Sequence, residues 1–102
     1  MATAFVQEFK IVDGDTSTSN YDAVAAAIGR GPVEGLILHT AGFDRDSGVF
    51  RIFDVWESRE AGQTFLDERI MPIIERLAAD AGEGNFDPPD NETWYDLHHV
   101  LP

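Results

Sequence analysis

The chain has 102 residues, no cysteine and a formal charge of −12, from 19 acidic and 7 basic residues. This length corresponds to one domain with one core, and a hydrophobic fraction of 43% with a charged fraction of 25% is typical of globular proteins. The absence of cysteine excludes disulfides and thiolate metal sites. Because nucleic acids and anionic membranes attract clustered Lys and Arg, the scattered basic residues argue against both as partners.

Targeting and membrane-spanning features are absent from the sequence. The first seven residues lack a basic n-region, and the apolar runs are far too short to cross a bilayer. We therefore expect a cytoplasmic protein with a single domain over residues 1–102.

The first half of the chain predicts a strand, a helix and a hairpin. Residues 4–12 alternate apolar and polar side chains, as a strand with one buried face does. Residues 21–28 are rich in alanine, follow several N-cap candidates and end at Gly29, which predicts a helix. Residues 35–41 and 49–56 are rich in branched and aromatic side chains and flank a polar turn, so they predict an antiparallel hairpin.

The second half predicts a helix and a closing strand. Ser58 is a good N-cap, and apolar residues recur after it at spacings of three and four. Pro72 predicts a kink or a restart of this helix near Met71, because proline removes an amide donor and clashes with the preceding turn. Residues 82–91 are turn-forming, and residues 93–101 predict the fourth strand.

The order β-α-β-β-α-β predicts an α+β, ferredoxin-like fold, with a four-stranded antiparallel sheet and two helices on one face. The predicted third strand carries bulky apolar residues on both faces: Phe53 and Val55 on one, and Phe50, Ile52 and Trp56 on the other. A sheet face that is exposed to water should carry mainly polar side chains, so the second apolar face must be packed against something. A second copy is the simplest cover, which predicts a homodimer whose paired sheets enclose a small-molecule pocket. A monomer with a few exposed aromatic residues is the other interpretation.

Two consecutive histidines near the C-terminus must point to opposite faces of the predicted strand. The face of His98 is the more polar one, so we expect His98 and Asp96 to face the pocket, and Tyr95 and His99 to face the helices. An Asp two residues from a His can hold one tautomer and let the imidazole act as a general base near neutral pH. The same two side chains could instead satisfy each other or lie in water at the rim.

The face on which His39 lies depends on the hairpin loop. A five-residue loop places His39 with Phe53, whereas a four-residue loop places it with Asp54, because a slip of one residue inverts the faces. We prefer the four-residue register. It keeps together a helix-side core of Leu36, Leu38, Phe53 and Val55.

This register defines a predicted pocket. Its catalytic candidates are His98, His39 and Asp54. Its substrate-binding candidates are Trp56, Phe50, Ile52 and Asp96. An apolar cavity with a few converging polar groups suits a small hydrophobic or aromatic ligand. A core histidine that is hydrogen-bonded to the backbone is an equally good interpretation of His39.

The sequence indicates neither a metal nor a cofactor. The three histidines lack the spacing of a metal site, such as positions i and i+4 on a helix. The glycine-rich segment at residues 29–32 follows a predicted helix rather than a strand, so it does not predict a phosphate-binding loop.

Three segments resemble the dimeric α/β-barrel proteins related to antibiotic biosynthesis monooxygenases: residues 53–61 (FDVWESREA), 68–72 (ERIMP) and 98–101 (HHVL). The resemblance extends over nearly the whole chain and implies a homodimer with its sheets face to face. It leaves the activity open, because such proteins include cofactor-independent monooxygenases, haem-degrading enzymes and isomerases. Gln7 stands where haem-degrading relatives have Asn, and the second predicted helix contains neither Trp nor His, which argues against haem degradation.

Three functions therefore stay open. The first is a cofactor-independent oxygenase or isomerase that removes a proton from a hydrophobic, aromatic metabolite at His98 or His39. The second is a non-catalytic ligand-binding or stress-related protein with the same dimeric pocket. The third is a dimerisation module without a pocket.

Overall fold

The computed structural model describes residues 1–81 and 87–101. Its elements in chain order are β1 (Thr3–Lys10), α1 (Ser19–Ile28), β2 (Leu36–Asp44), β3 (Val49–Trp56), α2 (Arg59–Phe65), a π-helical segment (Leu66–Ile70), α3 (Met71–Ala81) and β4 (Asn91–Asp96). All strand pairs are antiparallel, and the strand order is β2-β3-β1-β4. The ferredoxin-like fold predicted from the sequence is confirmed, although residues 82–86 of the predicted loop lie outside the described residues.

The helix boundaries follow from local chemistry. α1 ends where Gly29 adopts a φ of 81°, a left-handed conformation that costs glycine little. α2 begins after Ser58, whose Oγ accepts a hydrogen bond from the amide of Ala61 at 3.1 Å, as predicted. Near Pro72 the helix shows an irregularity but no restart: Phe65, Leu66 and Met71 all keep right-handed helical backbone angles, so α2, the π-helical segment and α3 form one continuous helix. The π-helical segment lies directly before Met71 and Pro72, where the proline lacks an amide to donate.

The hairpin has the four-residue loop. Asp44 pairs with Val49 across the loop, and His39 pairs with Asp54 further along the two strands. A β-bulge at Ile37 shifts the register between Leu36 and Leu38. His39 therefore shares a face with Asp54, as the preferred register predicts.

The helices lie on the opposite face of the sheet from the one predicted. The side chain of Trp56 packs 5.4 Å from the ring of Phe65 on α2, and Phe5 stacks on Trp94 at 4.0 Å in the same layer. We call this side the covered face. Its innermost large side chains are Phe5 and Trp56, which are 1% and 2% exposed.

The predicted helix-side core was therefore wrong in its placement. Leu38, Phe53 and Val55 do lie together, but on the side of the sheet away from the helices. We call this side the uncovered face. Leu36 lies on the covered face, opposite Trp56. Both faces of β3 are apolar, so strand alternation sorts residues into two sets without showing which set the helices cover. The larger aromatic rings fill the deeper space between helices and sheet.

The fourth strand is shorter than predicted. It ends at Asp96, which pairs with Thr3, the first residue of β1. The amide of Leu97 donates to the carbonyl of Ala2 at 2.9 Å, after which the chain leaves the sheet. Within the described residues, no helix is long and apolar enough to cross a membrane.

Candidate functional site

A chain of three hydrogen-bonded side chains lies on the covered face at the β2-β3 edge. Oδ1 of Asp54 lies 2.5 Å from Nδ1 of His39, and Nε2 of His39 lies 2.7 Å from the phenol oxygen of Tyr21. In the neutral form of the ring, Nδ1–H donates to Asp54 and Nε2 accepts from the Tyr21 hydroxyl. A base, a group that orients it and a hydroxyl at its second nitrogen are thus in place.

Local sequence explains how these side chains meet. The four-residue hairpin sets His39 directly opposite Asp54, so their side chains are cross-strand neighbours on one face. Tyr21 lies in the first part of α1, whose half-buried residues Tyr21, Val24 and Ile28 recur at helical spacing. Its side chain reaches His39 and Phe50 on the sheet. The strands therefore fix the first hydrogen bond, and the seating of α1 fixes the second.

The environment shifts the pKa of two of these groups. The hydrogen bond to Asp54 raises the pKa of His39 above its ordinary value of 6.5, partial burial opposes this, and the negative charge of Asp54 adds to it. Burial raises the pKa of Tyr21, and the charges of Asp54 and Asp22 raise it further. Tyr21 is consequently kept as a neutral phenol, and His39 is a stronger base than a free imidazole.

Apolar side chains lie beside the hydrogen-bonded chain. The ring of Tyr21 meets Phe50 edge to face with centroids 5.6 Å apart, and Phe50 meets Phe43 in the same way at 4.9 Å. Ile52 lies on the same face, between Phe50 and Asp54 along β3. The side chain of His39 is 40% exposed and that of Asp54 12% exposed, so the base is accessible while its orienting carboxylate is sheltered.

The structure brings together four of the seven predicted site residues. His39, Asp54, Phe50 and Ile52 share the β2-β3 end of the covered face, which is the helix side rather than the predicted space between paired sheets. Trp56 lies on that face too, but it is 2% exposed beneath α2, and its indole N–H has no partner among the described residues.

The other two predicted residues lie apart. Asp96 ends β4, where Thr3 Oγ1 donates to its Oδ1 at 3.4 Å. His98 is exposed and lies beyond the end of that strand, so it does not share a strand face with Asp96 as predicted. The predicted roles of these residues stay predictions.

Sequence reasoning missed Tyr21. It lies 18 positions before His39 and belongs to a helix whose other inward residues are half-buried aliphatic side chains. Helical spacing would have placed it on the inward face of α1, but the sequence carries no signal for which strand residue it meets.

Several solved structures with a similar fold are described as monooxygenases or oxygenases. A protein from Chloroflexus aurantiacus J-10-fl, provisionally assigned as an antibiotic biosynthesis monooxygenase, has a TM-score of 0.61 at 17% identity, covering 100% of this chain and 98% of that chain. SnoaB, a cofactor-independent oxygenase from Streptomyces nogalater, has a TM-score of 0.60 at 19% identity, covering 99% and 97%. The monooxygenase from the gene ActVA-Orf6 of Streptomyces coelicolor, in complex with nanaomycin D, has a TM-score of 0.56 at 21% identity, covering 99% and 91%.

The chain has the antibiotic biosynthesis monooxygenase fold. No family model matches the sequence, and neither does any curated protein. At these identities the likeness concerns the fold alone, and the chemistry must be argued from the residues of this chain.

The uncovered face of this monooxygenase fold carries a different kind of cluster. Arg51 donates to Glu8 at 2.6 Å through Nη2 and to Asp44 at 2.9 Å through Nη1, so two carboxylates share one guanidinium. Toward the other end of this face, a mainly apolar depression of about 340 Å³ is lined by Ile37, Leu38, Val55, Val100 and Leu101. The described residues contain no group of three or more His, Cys, Asp or Glu side chains that could hold a metal ion.

Proposed function

We propose that the chain is a cofactor-independent enzyme that removes a proton from a hydrophobic, aromatic metabolite, with His39 as the general base and Asp54 as the residue that orients it. The observation that carries this proposal is the 2.5 Å contact between His39 Nδ1 and Asp54, on the same sheet face as Phe50, whose ring meets that of Tyr21. It supplies a base, a fixed tautomer and an apolar surface for an aromatic ring in one place.

The proposed reaction begins with proton transfer to His39. Nε2 accepts a proton from an acidic C–H of the substrate, and Asp54 stabilises the imidazolium that forms. The substrate anion can be reprotonated at another carbon, which is isomerisation. It can also react with O2: at a methylene group, one oxygen atom becomes a carbonyl, and the other leaves as water with the two hydrogens.

Oxygen uptake tests this proposal. The protein is mixed with a panel of anthrones and quinols, and O2 consumption is compared among wild type, His39→Ala, Asp54→Asn and His98→Ala. Loss of the base should lower turnover by roughly 10² to 10⁴-fold, the usual contribution of general base catalysis. His98→Ala is the control, because His98 lies outside the hydrogen-bonded chain. Turnover that survives His39→Ala but not His98→Ala would reverse the assignment of the base.

A second candidate is a ligand-binding protein without turnover, which was the alternative from the sequence. It is favoured by one observation: the phenol of Tyr21 already occupies Nε2 of His39 at 2.7 Å. Such a protein would show a ligand-dependent rise in melting temperature with the same panel and no O2 consumption above the rate without protein.

Homodimerisation through the uncovered face is part of the proposal. Leu38 and Tyr95 on this face are 48% and 46% exposed, which is unusual for large side chains on a sheet. Arg51 is ion-paired within its own chain to Glu8 and Asp44, so burying the face leaves no unpaired cation, although the cluster keeps one net negative charge. In this arrangement each catalytic site lies outside the paired sheets, under its own helices.

Sedimentation measures this association directly. We expect a dimer that Leu38→Asp shifts to a monomer, because an unpaired charge would be buried in each half of the interface. Ala27→Asp, on an exposed position of α1, should leave the dimer intact. A single species of 11.3 kDa at high protein concentration would contradict the dimer.

A further inference from the structure

The base proposed for this site is occupied by the protein itself. Asp54 is hydrogen-bonded to Nδ1 of His39, and the hydroxyl of Tyr21 is hydrogen-bonded to Nε2, so both ring nitrogens have a partner. A substrate that uses His39 as its base must therefore react through the Tyr21 hydroxyl or take its place.

The space that Tyr21 fills has the shape of one hydroxylated aromatic ring. Its hydroxyl meets His39, its ring lies parallel to the imidazole within 3°, and one side meets Phe50 edge to face. The polar end and the apolar sides of this space are thus arranged for a phenol.

The helix that carries Tyr21 is weakly held. None of the ten described residues of α1 is buried, and its N-cap residue Thr18 donates its hydroxyl to Asp22 instead of accepting from the helix backbone. At the other end of α1, Arg69 donates to the carbonyl of Ile28 at a long 3.4 Å. Elements with few buried contacts are those that open most readily.

We propose that Tyr21 is a placeholder for the substrate: the ligand of this site is a phenol or a fused aromatic compound with a free hydroxyl, and it displaces Tyr21 from His39 as α1 moves away. This inference rests on the proposed function, because it assigns the substrate class of the same site. The substrate hydroxyl then gives its proton to Nε2 of His39 and becomes the phenolate, so for this substrate class the proton that the base removes is the hydroxyl proton rather than a C–H proton. The phenolate delocalises its charge into the ring and is the anion that reacts with O2.

Binding of 4-nitrophenol, whose absorption reports its ionisation, tests the displacement without any turnover. Tyr21→Phe keeps the ring and removes the competing hydroxyl, so the probe should bind roughly three- to tenfold more tightly, as expected for one hydrogen bond that no longer has to be broken. The matched control is Tyr95→Phe on the uncovered face, which should leave the dissociation constant unchanged. The shift toward the phenolate spectrum should persist in Tyr21→Phe and disappear in His39→Ala.

Unchanged or weaker probe binding by Tyr21→Phe would overturn the inference. A second measurement uses the wild-type protein alone: adding 4-nitrophenol should speed amide hydrogen exchange in residues 19–28, and unchanged exchange with the probe bound would also overturn it.

Kinetics separate this inference from the proposed function. If Tyr21 is a placeholder, Tyr21→Phe should lower KM and leave kcat nearly unchanged. If Tyr21 instead relays a proton, the same substitution should lower kcat. That result would overturn the inference and leave proton abstraction by His39 standing. Tighter probe binding by Tyr21→Phe, in a protein that consumes no O2, would support the phenol site and reject the oxygenase.

Discussion

The two ends of the covered face are built in opposite ways. At the α2 end, Trp56 and Trp94 are packed so closely that a Cβ on Gly62 would lie 2.7 Å from the ring of Trp94. At the α1 end, His39 is 40% exposed, and the helix above it has no buried residue. One sheet face thus combines a rigid half, which supplies stability, with a loosely covered half, where polar groups can meet a ligand.

Removing one aromatic side chain at each end should give the largest contrast. We expect Trp56→Ala to lower the free energy of unfolding by about 3 to 5 kcal/mol, because it leaves a cavity in the tightest part of the core. Tyr21→Ala should cost clearly less, because the loosely seated α1 can settle onto the sheet. Urea denaturation monitored by far-UV circular dichroism measures both, and equal losses would contradict the division into two halves.

Adding a single methyl group at the α2 end should have the next largest effect. Gly62→Ala places a carbon within 3.0 Å of both Trp56 and Trp94, so we expect a loss of roughly 1 to 3 kcal/mol from overpacking. Gly31→Ala is the matched control, because a Cβ there would meet nothing within 4 Å. If the two variants have the same melting temperature, the α2 end is looser than the distances indicate.

The cap of α2 should contribute less. Ser58→Ala removes the acceptor for the amide of Ala61, which should cost about 1 kcal/mol. Ser58→Asp restores an acceptor and should recover most of the stability. The rescue distinguishes a lost cap from a general effect of substitution at this position.

The smallest predicted effect is a dependence of stability on pH at the α1 end. The folded-state pKa of His39 is raised by Asp54, so the stabilisation is fully present below the unfolded value near 6.5 and is lost as the pH rises through the folded pKa. The difference in unfolding free energy between wild type and Asp54→Asn should therefore shrink as the pH rises above about 6.5. The other titratable side chains near His39, those of Tyr21 and Asp22, are present in both proteins. A difference that grows with pH would show that the pKa is lowered instead.

The sequence was sufficient for features that depend on neighbouring residues. Strand alternation, the N-cap at Ser58, a helix irregularity near Pro72 and the four-residue hairpin were all predicted, and the hairpin register brought His39 to Asp54. These features depend on residues close in sequence or paired across one turn, where periodicity and turn chemistry act directly.

Features that depend on distant parts of the chain were not predicted. The side on which the helices pack could not be read from β3, because Trp56 and Val55 are both apolar and point opposite ways. The end of β4 pairs with the start of β1, and the partner of Tyr21 is set by how α1 lies on the sheet. Each of these is decided by packing between elements, which no local pattern encodes.

The bulge at Ile37 has a consequence for how copies of this chain can associate. The pairs Leu36 with Trp56 and Leu38 with Val55 are successive along β3, so Ile37 is an extra residue that pairing with β3 does not require. It lies on β2, an outer strand of the sheet, and bends the row of backbone groups that another strand would have to match. The bulge therefore makes side-by-side pairing of this edge with a strand of another molecule less favourable than a regular edge would.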